Sequence, residues 1–99
     1  MLKIEHIGIA VKDIKASISL FEKLLNTPHY KTELVEREKV NTAFFRSGDT
    51  KIELLESTDP QGVIAKFIEK KGEGMHHIAF EVDDIEAEME GSNLRVLFY

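Results

Sequence analysis

Apolar residues alternate with polar or very small ones at Ile7/Ile9/Val11 and again at Ile78/Phe80/Val82, the period of two that marks a strand with one face on a core. After each run an aspartate, Asp13 or Asp84, stands where a helix N-cap belongs. From Asp13 the period lengthens, with Ile14, Ile18, Phe21 and Leu25 at helical spacing, which predicts a helix ending near Asn26-Thr27-Pro28. Tyr30 to Glu36, Thr42 to Arg46 and Lys51 to Glu56 read as three further strands, broken at Glu36-Arg37-Glu38-Lys39 and at Ser47-Gly48-Asp49. Thr58 to Gly62 is a loop, and Val63 to Lys70 a short amphipathic helix stopped by Gly72 and Gly74.

The chain repeats itself. His6-Ile7-Gly8-Ile9-Ala10-Val11-Lys12-Asp13-Ile14-Lys15-Ala16 and His77-Ile78-Ala79-Phe80-Glu81-Val82-Asp83-Asp84-Ile85-Glu86-Ala87 share six of eleven residues at an offset of 71. The first copy opens a β-α-β-β-β unit. In the second, Gly91-Ser92-Asn93 interrupts the helical pattern after Glu90, and Leu94 to Tyr99 reads as a strand. The expected fold class is α+β: one domain over 1–99, with a first βαβββ module at 1–57, a linker helix at 58–74 and a partial second module at 75–99.

Composition narrows what such a domain does. At 99 residues there is room for one core, and 42% hydrophobic with 31% charged residues is the balance of a folded globular chain. No apolar stretch reaches the ~18 residues of a spanning helix and the N-terminus lacks a secretory core, so no membrane partner and a cytoplasmic location are expected. A net charge of −5 lacks the basic footprint of a nucleic-acid binder. With no cysteine, any metal must be held by histidine and carboxylate.

The alternation places His6, Gly8 and Ala10 opposite Ile7, Ile9 and Val11, and His77 and Ala79 opposite Ile78, Phe80 and Val82. One face is then expected to pack on helices, the other to carry histidines among small residues that leave open volume. Glu53, opposite Ile52 and Leu54, aims a carboxylate to the histidine side. Two imidazoles and a carboxylate suit a divalent ion, and an open coordination position lets it polarise a carbonyl or enolate oxygen. A lone strand histidine is more often a hydrogen-bonded, partly buried residue than a ligand. Two at equivalent points of a repeat are a different matter, and His6, Glu53 and His77 are the expected metal ligands. His76 is expected on the face opposite His77, and His29, after a proline, in solvent. Gly72-Glu73-Gly74 reads as turn geometry, and Lys66/Lys70/Lys71 as a solvated helix face.

Ile4-Glu5-His6-Ile7-Gly8-Ile9-Ala10-Val11-Lys12-Asp13, Gly48-Asp49-Thr50-Lys51-Ile52-Glu53-Leu54-Leu55-Glu56, Ile64-Ala65-Lys66-Phe67 and Gly72-Glu73-Gly74-Met75-His76-His77-Ile78-Ala79-Phe80-Glu81-Val82-Asp83-Asp84-Ile85 resemble the methylmalonyl-CoA epimerases of the vicinal oxygen chelate (glyoxalase) superfamily, over residues 3 to about 90. The resemblance implies paired βαβββ modules closing a sheet around a divalent metal, of which Co, Mn, Mg, Zn and Ni are all compatible, usually in a homodimer. It implies ligands at His6, Glu53 and His77 and a fourth carboxylate from the last strand of the second module, a strand with no counterpart in this sequence. In some members a glutamate on the third strand acts as a base, and Thr42 aligns with that position, so the catalytic residues stay unassigned. The implied chemistry is epimerisation of methylmalonyl-CoA at C2, a 1,1-proton transfer through a metal-stabilised enolate, with an acyl-CoA substrate. Three alternatives stand beside it: a lactoylglutathione lyase, against which the linker helix counts; a metal-free small-molecule binding protein; and an inactive truncated module whose sheet edge a partner chain covers.

Overall fold

The computed structural model describes residues 2–82 and 94–98. Asp13 leaves the strand β1 (Leu2–Ala10) in an extended conformation, and its carboxylate accepts from the Ala16 backbone N–H, capping the helix α1 (Ile14–Leu25). Asn26 ends that helix in the left-handed region, at φ 51°. Then come β2 (Lys31–Val35), a single 3-10 turn over Glu36–Glu38, β3 (Val40–Ser47), β4 (Thr50–Ser57), α2 (Val63–Lys71), β5 (Gly74–Val82) and β6 (Leu94–Phe98). The charged run expected to break the chain does so through the 3-10 turn and Lys39, at φ 57°. Gly48 supplies, at φ 62°, the positive angle that the two-residue loop between β3 and β4 requires. Asp84 and the break at Gly91-Ser92-Asn93 lie outside the described residues.

The strands form a six-stranded sheet in the order β2-β3-β4-β1-β5-β6. β1 runs parallel to β4 and antiparallel to β5. β6 takes the place beside β5 that β4 takes beside β1, but antiparallel. Among the described residues no helix is long and apolar enough to cross a membrane.

Two apolar clusters hold the sheet. On one face Val11, Ala43, Phe45 and Leu54 are buried under Ile14, Ile18, Phe21 and Leu25 of α1, the stripe that the helical spacing marked. On the other, Ala10, Val40 and Leu55 are buried under Ile64 of α2, with Phe67 and Ile68 packed alongside. This corrects the expectation that both helices share one face: α2 lies on the histidine side and closes one end of it. Burial at both ends of Ala10-Val11 gives the fold two small cores, and truncating a buried leucine or phenylalanine in either costs about 2–5 kcal/mol.

The β1–β5 ladder carries two bulges. Ile4 pairs with Phe80 and His6 with Ala79, leaving Glu5 as an extra residue on β1; Gly8 pairs with His77 and Ile9 with Met75, leaving His76 extra on β5. Glu5 and His76 are themselves related by the offset of 71, so the two irregularities are the same feature in the two copies of the repeat. A bulge leaves one residue unpaired and re-aims the side chains beside it.

Candidate metal centre

The site forms on one rung of three adjacent strands. Gly8 of β1 pairs with Glu53 of β4 on one side and with His77 of β5 on the other, so Glu53 and His77 project to the same face, with His6 two residues before Gly8 on that face. Gly8 has no side chain to keep the neighbours apart: a Cβ there would overlap the ring of His77. The small residue expected to leave open volume instead makes room for a histidine. Ala10 and Ala79, the other small residues of this face, are both fully buried.

His6 Nε2 and His77 Nε2 stand 3.0 Å apart with their rings nearly perpendicular, at 88°. Glu53 Oε2 lies 3.5 Å from His6 Nδ1, and one donor atom from each of His6, Glu53 and His77 falls within 4.8 Å of the others. Two nitrogens each about 2.1 Å from one ion at a right angle are about 3 Å apart, so the imidazole spacing fits a shared cation. Burial raises the Glu53 carboxyl, partly offset by His6, while the charge of Glu5 pushes it the same way as burial. Burial, with His6 and His76 beside it, lowers His77 to about 4. A half-buried carboxylate and a neutral imidazole in one pocket are the donor set a divalent cation takes.

Two further side chains, Glu5 and His76, stand against this centre. Glu5 hydrogen-bonds His6 Nδ1 and pairs with Lys51 Nζ at 3.0 Å. Its carboxyl is opposed by burial but brought below its ordinary value by those two partners. His76 stands 2.9 Å, Nδ1 to Nδ1, from His77, and its ring meets Phe67 of α2 edge-on at 4.8 Å. His76 is therefore not across the sheet from His77, as regular alternation requires, because the bulge interrupts that alternation at this residue. It is buried, and burial lowers its pKa. The signal was present: Glu5-His6 and His76-His77 each place two polar residues in succession, at equivalent points, where period two allows one. His29, expected in solvent, is tied to Glu22, its ring Nδ1 2.9 Å and its backbone N–H 3.1 Å from one carboxylate oxygen, and stands apart from the site.

The centre opens into a cleft of about 850 Å³ between the sheet and α2, within the range of small-molecule sites. Phe44, Leu55 and Ile64 give it apolar walls, Thr42 lines it deeply buried, and Arg37 and Lys39 stand among its lining residues.

The model of the Glyoxalase/Bleomycin resistance protein/Dioxygenase superfamily matches residues 5–93. The chain is 46% identical over 80 residues to the uncharacterized protein YqjC of Bacillus subtilis, covering 81% of this chain and 57% of that protein. It is 34% identical over 86 residues to human mitochondrial methylmalonyl-CoA epimerase, covering 86% of this chain and 49% of that one. The chain thus spans about half the length of the curated relatives it matches. Among solved structures, a variant of Streptomyces coelicolor methylmalonyl-CoA epimerase in complex with 2-nitronate-propionyl-CoA superposes with a TM-score of 0.75 at 32% identity, over 90% of this chain and 66% of that one. A βαβββ unit, an internal repeat that brings one histidine from each copy together, and a match over most of the length agree: the chain belongs to the glyoxalase/bleomycin resistance protein/dioxygenase superfamily.

Proposed function

We propose that the whole protein is a metal-dependent acyl-CoA epimerase acting on methylmalonyl-CoA or a close thioester, with His6, Glu53 and His77 as three of its metal ligands. The observation that carries this reading is the convergence of these three donors within 4.8 Å beside an apolar-walled cleft. In the reaction a base takes the proton from the carbon between thioester and carboxylate, the C–H electron pair passes into an enolate, and an acid returns a proton to either face of that carbon. A bound divalent ion supplies positive charge to the enolate oxygens, worth several kcal/mol. The chain's own part is positional: Gly8 and the two bulges fix the donors, Phe44, Leu55 and Ile64 exclude water, and Arg37 and Lys39 offer charge to an anionic substrate. The relatives named as epimerases support the acyl group.

The test is exchange of the C2 proton of methylmalonyl-CoA in D2O, followed by proton NMR with the whole protein loaded with Mn²⁺ or Co²⁺. Exchange that a chelator abolishes and added metal restores is the expected result; a loaded protein that exchanges nothing overturns the reading. A second reading, a binding module without turnover, is favoured by Thr42. A threonine, 3% exposed in the cleft, supplies no carboxylate where the resemblance places a base in some members. Binding of the acyl-CoA without exchange is the outcome that favours it.

A further inference from the structure

Four polar side chains make a continuous line across the centre: Glu5 to His6 Nδ1, His6 Nε2 to His77 Nε2 at 3.0 Å, and His77 Nδ1 to His76 Nδ1 at 2.9 Å. With the rings neutral, the carboxylate of Glu5 fixes the direction in which these three hydrogen bonds run. Glu5, its other oxygen 3.0 Å from Lys51 Nζ, accepts from His6, so His6 carries its proton on Nδ1 and bares Nε2. His77 must then donate from Nε2 and accept at Nδ1, and His76 must donate from Nδ1. His6 therefore already offers a lone pair to the centre, while His77 presents an N–H.

We propose that Glu5 and His76, the two residues ejected by the paired bulges, are positioning residues with different tasks: Glu5 locks His6 in its ligand-ready tautomer, and His76 lets His77 switch tautomer as a cation enters. For His77 to bare Nε2, its proton must pass to Nδ1. His76 must then accept there, which it does by carrying its own proton on Nε2. Each ring exchanges one N–H for the other, so no proton is gained or lost overall. Only a side chain able both to donate and to accept from one atom position serves here, which a carboxylate in the place of His76 would not. The pseudo-symmetric repeat thus carries an asymmetric pair of supports, carboxylate on one side and imidazole on the other.

The inference rests on His6, Glu53 and His77 being a cation site, and one set of samples separates the two. Long-range proton–nitrogen NMR of the histidine rings, in the whole protein at mildly alkaline pH with and without stoichiometric Zn²⁺, reads the tautomers directly. His6 is expected to keep Nδ1–H throughout, and His77 and His76 to exchange theirs on loading. In competition titrations, Glu5→Gln and His76→Phe should each weaken Zn²⁺ binding by about 10–100-fold, while His76→Gln, whose amide donates and accepts, retains most of it. Failure of the parent to bind Zn²⁺ overturns both readings. Zn²⁺ binding with His77 protonated on the same nitrogen before and after, or a folded His76→Phe of parental affinity, overturns the positioning roles alone.

Discussion

Gly8 shows how a single missing atom governs the centre. Its neighbours on the rung, Glu53 and His77, are held apart by nothing but backbone, and the His77 ring occupies the space a methyl would need. Gly8→Ala is expected to displace the ring, at a cost of about 1–3 kcal/mol for overpacking, and to weaken cation binding by about 10–100-fold. Urea unfolding and metal titration of the same variant measure the two effects separately. His77 itself makes stability depend on pH. Its ring stays neutral in the folded protein down to about 4, whereas an unfolded chain protonates it from 6.5 downward, so the unfolded state binds more protons across that window. The contribution of His77 to the stability of the metal-free protein should therefore be full above about pH 6.5 and be lost as pH falls toward 4, against the raised Glu53 carboxyl, which acts in the opposite direction. His76, also lowered, acts in the same direction. Urea midpoints at about pH 7 and pH 5 should differ, and His77→Asn should narrow the difference.

At the scale of elements, the parts whose cause is local were legible in the sequence. Asp13 and the Ile14/Ile18/Phe21/Leu25 stripe define α1 to within a residue or so, and Asp13→Ala should cost about 1 kcal/mol in a denaturant titration. Gly48 and Lys39 mark the turns that separate β2, β3 and β4. Two features were not legible for physical reasons. The pattern of Val63 to Lys71 reports which side of α2 is apolar, not which face of the sheet that side meets; the loop at Ser57–Gly62, where Gly62 N–H bonds Asp59 O, delivers it to the histidine side. The position of the bulges is the second: the doubled polar pairs Glu5-His6 and His76-His77 mark a break in alternation, but which residue leaves the ladder is set by the pairing of two strands at once. Their placement has its own test. Each adds one residue to a different strand, so the register beyond the pair returns to what it was before it: Ile4↔Phe80 and Ile9↔Met75 share one frame. Deleting Glu5 or His76 alone should push one end of the ladder out of register and turn its side chains to the wrong face. Deleting both should restore a regular ladder and a folded sheet with impaired cation binding, a contrast that circular dichroism and metal titration would reveal.

For the molecule as a whole, the same sheet leaves β2 and β6 as its edges among the described residues, and unpaired edges invite another chain. A homodimer is the expected state of the protein, and light scattering should return twice the mass of one chain; a monodisperse monomer counts against it. The central position of β1 reaches further, into how the protein is made. The strand leaves the ribosome before either of its partners: Gly8 waits for Glu53 on one side and for His77 on the other. At about 5–20 residues per second of synthesis, the interval between His6 and His77 is roughly 4–14 seconds, during which one of the two middle strands of the sheet is exposed along an edge. Nascent chains halted before β5 are thus the aggregation-prone ones. Because His6 and His77, two of the proposed ligands, lie at the start and the end of that interval, capture of a cation by the emerging chain would mark the moment the central ladder closes.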